Sequence, residues 1–302
     1  MRIYCSFLLA CTAIMISATT HGGTGIEPKV IEHGPRDVNK IALTFDACPT
    51  GREDEYDEKV VDVLVQEKVR ATLFMSGRWV EKNKDMAKVL AENPQFEIAN
   101  HAYWHPHMLE KDDERILREL RRTQDIIGKV TGKRPKYFRP PFGEVDERLA
   151  RLAAEAGLVT VQYDIASGDP DPGLSAKRII RGVVGEAKGG SIVVFHMNKN
   201  GVRTAEVLPE VIGQLRGKGF ELVTVGEMLA TADRKRDRGT SPAKSPGYRR
   251  GQGDVKTRGT RTGPTSAMTS TRDTSTSQGT DTRDALRTGV EHTGPTVSGA
   301  EQ

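Results

Sequence analysis

The sequence predicts an α/β protein whose strands run mainly parallel and curl into a small or incomplete barrel. Three observations carry this expectation. Short β-type apolar runs alternate with longer helical patterns over residues 40–229, which is how a parallel sheet covered by helices reads. Glycines stand where the helices should stop, at Gly157, Gly189, Gly190 and Gly219. Five polar motifs each follow an apolar run, and parallel sheets and barrels keep their chemistry at the carboxyl ends of their strands.

In chain order, strands are expected at 40–44, 71–75, 96–99, 137–139, 160–164, 191–195 and 221–223. Between them, residues 56–68 place Val60, Val61, Leu64 and Val65 at helical spacing. Residues 112–131 do the same with Ile116, Leu117, Leu120, Ile126 and Ile127, and helices at 147–156, 175–187 and 205–218 complete the alternation. About seven such units fit a single domain, assigned to residues 40–230 after a lead-in at 23–39.

The two ends read differently. Residues 1–22 have a basic start at Arg2, a short apolar run and then small polar residues. That run is too short for a membrane span and reads as a cleaved secretory signal, so the protein is expected to be secreted or periplasmic. A lipoprotein anchor at Cys11 is the lesser alternative, because the apolar run continues beyond it. Cys5 and Cys11 lie in the signal, which leaves Cys48 alone and permits no intramolecular disulfide in the mature chain. Residues 231–302 are rich in Thr, Ser, Gly and Arg, with too few apolar side chains to offset the entropy of ordering, so a disordered tail is expected.

Of the 45 basic and 41 acidic side chains, 13 and 8 fall between Asp233 and Gln302. The basic excess therefore belongs to the tail, which could touch acidic wall polymers weakly. The near-neutral body argues against nucleic acid as a partner, and a monomer is expected.

Each motif has a bland reading and a chemical one. Asp46 follows an apolar run and could cap a helix, serve as a base or bind a metal. His101 and His105 are four apart, which on a helical turn would place both rings on one face, a common divalent-metal pair. The alternative is a local aromatic cluster with Tyr103 and Trp104. Arg139 precedes Pro140 and Pro141, which fix it in a stiff extended turn rather than an ordinary surface loop. Asp169 lies beyond the run at 160–164, and His196 ends Ile-Val-Val-Phe, well placed as an acid or base.

Taken together and in order, Thr44-Phe45-Asp46, His101 to His105, Arg139-Pro-Pro-Phe-Gly143, Asp169 and His196 resemble the motifs of the polysaccharide deacetylases, the NodB-homology or carbohydrate esterase family 4 enzymes. The resemblance covers essentially the whole expected domain. It implies a distorted (β/α)7 barrel of parallel strands, followed here by the tail. It also implies a metal-dependent enzyme that removes N-acetyl groups from an acetylated glycan. Asp46 then matches the general base and Arg139 the side chain that holds it. His101 and His105 match the metal ligands, with zinc expected and cobalt or nickel as alternatives. Asp169 matches the carboxylate partnering His196, and His196 the acid that protonates the leaving amine. Pro140, Pro141, Phe142 and Gly143 would wall the substrate groove, with Tyr103 and Trp104 as candidate sugar platforms.

Departures from the pattern shape the expectation further. Ala47 stands where the family usually has a second Asp, its third metal ligand, so that role is left between Asp46 and Cys48, or a water. Tyr163, Ala166 and Pro170 replace residues common in the fourth motif. The leading reading is an exported deacetylase of peptidoglycan or chitin-type oligosaccharides. The alternatives are a hydrolase of small cyclic amides and a non-catalytic carbohydrate-binding protein on the same scaffold.

Overall fold

The computed structural model describes residues 25–49 and 56–231. The expected signal at 1–22 and, apart from Thr231, the expected tail lie outside the described residues.

Among the described residues nine strands form one sheet in which every ladder pair is parallel. They are β1 (Val30–Ile31), β2 (Lys40–Ala47), β3 (Ala71–Met75), β4 (Phe96–Asn100), β5 (Tyr137–Phe138), β6 (Val159–Val161), β7 (Ile165–Ala166), β8 (Ile192–His196) and β9 (Glu221–Leu222). The order is β1-β6-β5-β4-β3-β2-β8-β7, with β9 pairing the start of β2.

This order forces the curl. Strands β6 and β7 belong to opposite arms of the sheet, yet Val161 and Ile165 are separated by only three residues. Four steps of extended chain span at most about 14 Å, so the two arms must approach each other. The linking residues close the gap: Gln162 N–H donates to the Ile31 carbonyl at 2.8 Å and Asp164 N–H to the Ile192 carbonyl at 3.2 Å. The result is a curled, incomplete barrel, as expected.

The helices cover its outside: α1 (Glu58–Gln66), α2 (Gly77–Lys82), α3 (Lys84–Glu92), α4 (Asp113–Thr131), α5 (Glu147–Glu155), α6 (Ala176–Glu186) and α7 (Thr204–Gly217). Side chains of Asp57, Ser76, Asp112, Asp146 and Ser175 accept amide hydrogen bonds at the starts of α1, α2, α4, α5 and α6, the usual N-terminal stop for free helical donors. Gly157 and Gly219 have positive φ directly after the caps of α5 and α7, consistent with their reading as terminators, whereas α6 already ends at Ala187 and the positive φ of Gly190 serves the turn into β8.

Strand periodicity decides what faces the barrel interior. Ile41, Leu43, Phe45 and Ala47 point outward into the main core beneath the helices, together with Leu73, Met75, Val193 and Phe195. The alternate residues face inward, where Ala42, Phe74, Ala99 and Ile192 pack with Val223, Val225 and Met228. Both faces are buried, so the strands read as continuous apolar runs.

Several details differ from the sequence expectation. Helices α2 and α3 were not anticipated: Asn83 divides the region, and segments of six and nine residues are too short for a clear helical period. Strands β1 and β7 have two residues each, and β1 comes from the lead-in at 23–39. Strand β2 runs to Ala47, so Asp46 lies inside the strand rather than after it.

Candidate active site

Strand alternation builds the centre of the site. Asp46 of β2 and His196 of β8 are register partners on adjacent parallel strands, so both side chains project from the same inward face about 4.8 Å apart at the backbone. Cys48, two residues beyond Asp46, continues that face and is buried. Ala47 faces the opposite way, fully enclosed in the outer core. His101 likewise continues the inward series of β4 beyond Ala99.

Arg139 is not a surface arginine. It is 1% exposed, and its Nη1 donates to Asp46 Oδ1 at 2.8 Å while Nη2 donates to the Gln162 carbonyl at 3.2 Å. Its guanidinium lies 4.0 Å from the centre of the Phe74 ring, so the charge is held by an ion pair and an aromatic face. Burial is the largest influence on the Asp46 pKa and works to raise it, but the charge and hydrogen bond of Arg139, together with the nearby His101 and His196, hold the carboxyl below its ordinary value. Asp46 is therefore a buried carboxylate ready to accept a proton.

The Arg139 backbone also fixes a histidine. Its carbonyl is 2.8 Å from His101 Nδ1. A carbonyl only accepts, so Nδ1 carries the hydrogen and Nε2 presents a lone pair. That nitrogen lies 3.6 Å from Asp46 Oδ2 and 3.6 Å from Cys48 Sγ. Burial holds the His101 pKa down. Burial and the neighbouring His101 push that of His105 down to about 3, so both rings are neutral donors at physiological pH.

The histidine pair is not helical, contrary to the expectation from its spacing. Residues 101–105 form a loop in which Ala102 has φ 58° and His105 has φ 57°. Those two left-handed turns, not a helical period, bring the rings to a centroid separation of 4.8 Å.

The ligand atoms of Cys48, His101 and His105 all lie within 4.8 Å of one another. Two neutral imidazoles and a sulfur are donors that fit a divalent ion such as zinc. Burial and the charge of Asp46 raise the Cys48 thiol well above its ordinary pKa, so binding there would release a proton.

A second charge pair flanks the first. His196 Nδ1 lies 3.1 Å from Asp169 Oδ1, and His196 N–H donates to Oδ2 at 2.8 Å. Ser167 Oγ donates to Oδ1 at 2.8 Å and Thr204 Oγ1 to Oδ2 at 2.5 Å. Four donors around one carboxylate match its acceptor capacity. Burial disfavours charge on His196, but the hydrogen bond and charge of Asp169 prevail and raise its pKa. With Nδ1 committed to Asp169, the second proton of the ring sits on Nε2. Gly201 packs tightly here, since a Cβ would stand 2.1 Å from Thr204 Oγ1 and 2.8 Å from Asp169 Oδ2.

These groups open on one hollow of about 500 Å³, lined also by Pro140, Phe142, Gly143, Tyr163, Lys199, Asn200 and Val202. Phe142 is 54% exposed with φ 58°, and its ring stacks on His107 at 4.1 Å and meets His105 edge-on at 4.5 Å. Val202 is 55% exposed, so apolar surface is available at the rim.

Three expected groove residues lie elsewhere. Pro141 is buried and does not line the hollow. Tyr103 is buried against Gly77, with its hydroxyl engaged by Glu81 and Arg122. Trp104 is exposed under the Arg78 guanidinium and lines a separate depression with Glu81, Arg115 and Arg122. The left-handed Ala102 turns both rings away from the hollow. Sequence reasoning missed Ser167, Thr204 and Asn198. Asn198 Nδ2 donates to the Cys48 carbonyl at 2.7 Å. Thr204 and Asn198 carry no local signal, because each acts on a residue brought near by the fold, whereas Ser167 stands only two residues before the Asp169 it binds, a local Ser-x-Asp spacing that could have found it.

A family profile described as polysaccharide deacetylase matches residues 33–161. A peptidoglycan-N-acetylglucosamine deacetylase of Bacillus cereus is 32% identical over 205 residues, covering 67% of this chain and 73% of that protein. A second one from the same organism is 34% identical over 200 residues, covering 65% and 90%. Among solved structures, a carbohydrate esterase family 4 pseudoenzyme from Bacillus anthracis superposes with a TM-score of 0.61 at 25% identity, covering 68% of this chain and 70% of that one.

Proposed function

Because the chain belongs to the polysaccharide deacetylase family, we propose that it is an exported, metal-dependent enzyme that removes N-acetyl groups from peptidoglycan or chitin-type oligosaccharides. It is a hydrolase of carbon–nitrogen bonds other than peptide bonds. The observation that carries the finer reading is the shared hollow: a buried carboxylate base, a histidine with a raised pKa and a His-His-Cys donor set all open on it.

Amide hydrolysis needs an activated water, a stabilised oxyanion and a protonated leaving amine. A divalent ion held by His101, His105 and a third group would acidify a water and polarise the acetyl carbonyl. Asp46, kept ionised by Arg139, accepts the proton from the attacking water. His196, kept protonated by Asp169, donates from Nε2 to the departing nitrogen. The two groups are cross-strand neighbours, so proton acceptor and donor flank one reacting carbon. Phe142 and Val202 offer apolar contact to a sugar ring at the rim. The secretory segment read at residues 1–22 supports export, which would bring the enzyme to wall glycans.

Ala47 favours a second reading. It carries no ligand and faces the core, and a structural neighbour is a pseudoenzyme, so a carbohydrate-binding protein is the competitor. Acetate release from acetylated chitooligosaccharides and peptidoglycan separates the two. Release that a chelator abolishes and zinc restores supports the enzyme. Glycan binding without release, with zinc, cobalt and nickel each supplied, would overturn it.

A further inference from the structure

The loop carrying His101 and His105 holds a shape its own sequence does not favour. Neither Ala102 nor His105 is glycine, yet both have left-handed φ, a conformation L-residues rarely adopt. Something outside the loop must therefore impose its shape. Three consecutive amides of the loop find acceptors only on side chains. Ala102 N–H donates to Asn100 Oδ1 at 2.9 Å. Tyr103 N–H and Trp104 N–H both donate to Glu119 Oε2, at 3.0 and 2.8 Å.

Glu119 lies on α4 and is 3% exposed. Its other oxygen pairs with Arg115 at 3.0 Å. A buried carboxylate facing two adjacent amides forms charge-assisted bonds, stronger than neutral ones. Asn100 supports the same arrangement, since its Nδ2 donates to the Leu120 carbonyl at 2.9 Å and so ties the strand end to the helix. Glu119 does not line the hollow, and the chemistry above makes no use of it.

We propose that Glu119 is a positioning residue: by binding the amides of Tyr103 and Trp104 it fixes the loop so that His101 and His105 converge on a divalent cation. The inference rests on the metal-dependent reading above. Outer partners of this kind change metal affinity by about 10–100-fold when removed.

The test uses the full chain and the variants Glu119→Ala, Glu119→Gln and Glu119→Asp. Zinc and cobalt affinity are measured by titration, and amide hydrogen exchange over 101–105 is measured in chelator. Glu119→Ala should bind at least about 10-fold more weakly, and its loop amides should exchange faster than the rest of the sheet. Glu119→Gln should recover most of the affinity, because its amide oxygen can accept the same two bonds. Should Glu119→Ala fail to fold, Glu119→Asp carries the same expectation, since it keeps the charge but withdraws the oxygen by one methylene. Wild-type affinity and wild-type loop protection in the alanine or aspartate variant would overturn the proposal. If the wild type takes up neither zinc nor cobalt, the metal reading fails by itself. Loop exchange then still decides whether Glu119 shapes the loop, and unchanged protection overturns that too.

Discussion

Replacing Arg139 by methionine should reverse the electrostatic role of Asp46. The substitution keeps an unbranched apolar side chain but removes the 2.8 Å ion pair, the hydrogen bond to the Gln162 carbonyl and the guanidinium over Phe74. Breaking one partner of a buried pair costs about 3–5 kcal/mol, because the other charge is left without compensation. Against a net stability of about 5–15 kcal/mol, that loss is large but leaves a folded protein to study. In the wild type the folded pKa of Asp46 is depressed, so its stabilisation is present above the unfolded value of about 3.9 and lost as pH falls through the folded pKa. In the variant, burial acts without Arg139 and raises the folded pKa above the unfolded one. The penalty is then full at neutral pH and shrinks as pH falls. Urea unfolding in chelator between about pH 5 and about pH 8 measures this. Asp46→Asn in the Arg139→Met background should return about 2 kcal/mol at neutral pH, within the range of coupling for contacting groups. A loss under about 1 kcal/mol, with the pH slope of the wild type, would refute the argument that Arg139 holds a buried carboxylate ionised.

Two further substitutions probe the remaining groups. Cys48→Ser should lower zinc affinity at least about 10-fold without destabilising the metal-free protein, and should abolish the thiolate charge-transfer absorption of a cobalt-loaded wild type; equal affinity would return the third-ligand role to Asp46 or a water. Asp169→Asn removes the interaction that raises the His196 pKa and leaves burial in command. The high-pH fall in kcat/KM should shift to lower pH, with a rate loss of about 10²–10⁴. The stabilisation from protonated His196 is complete below its unfolded pKa of about 6.5 and lost as pH rises through the raised folded value. An unmoved limb in the pH profile would remove His196 from the acid role.

Much of the barrel was legible because the parallel strands are buried on both faces and therefore appear as apolar runs. The functional strand ends were legible for the same reason, since Asp46 and His196 interrupt such runs. Helices α2 and α3 were not, because each is too short to display a period. The orientation of Tyr103 and Trp104 was also hidden. Three residues separate His101 from His105 in a helix and in this loop alike, and only the backbone angles at Ala102 and His105 distinguish the two. Glu119 and Thr204 act across 16 and 35 residues of chain on Tyr103 and Asp169, separations at which no local pattern forms.

By itself, the sequence determined which residues can carry the chemistry and the order in which strands deliver them. Strand periodicity, a local property, also placed Asp46 and Cys48 on one face and Ala47 on the other. The tertiary structure decided which of these groups meet. The short link from β6 to β7 curls the sheet, which brings Arg139 onto Asp46, and the pairing of β7 with β8 sets Asp169 beside His196. The physical reason lies in the range of the forces concerned. Alternation is set by the geometry of successive peptide units, whereas the pairing of buried charges is set by packing between segments far apart in the chain, where desolvation penalises any charge left without its partner.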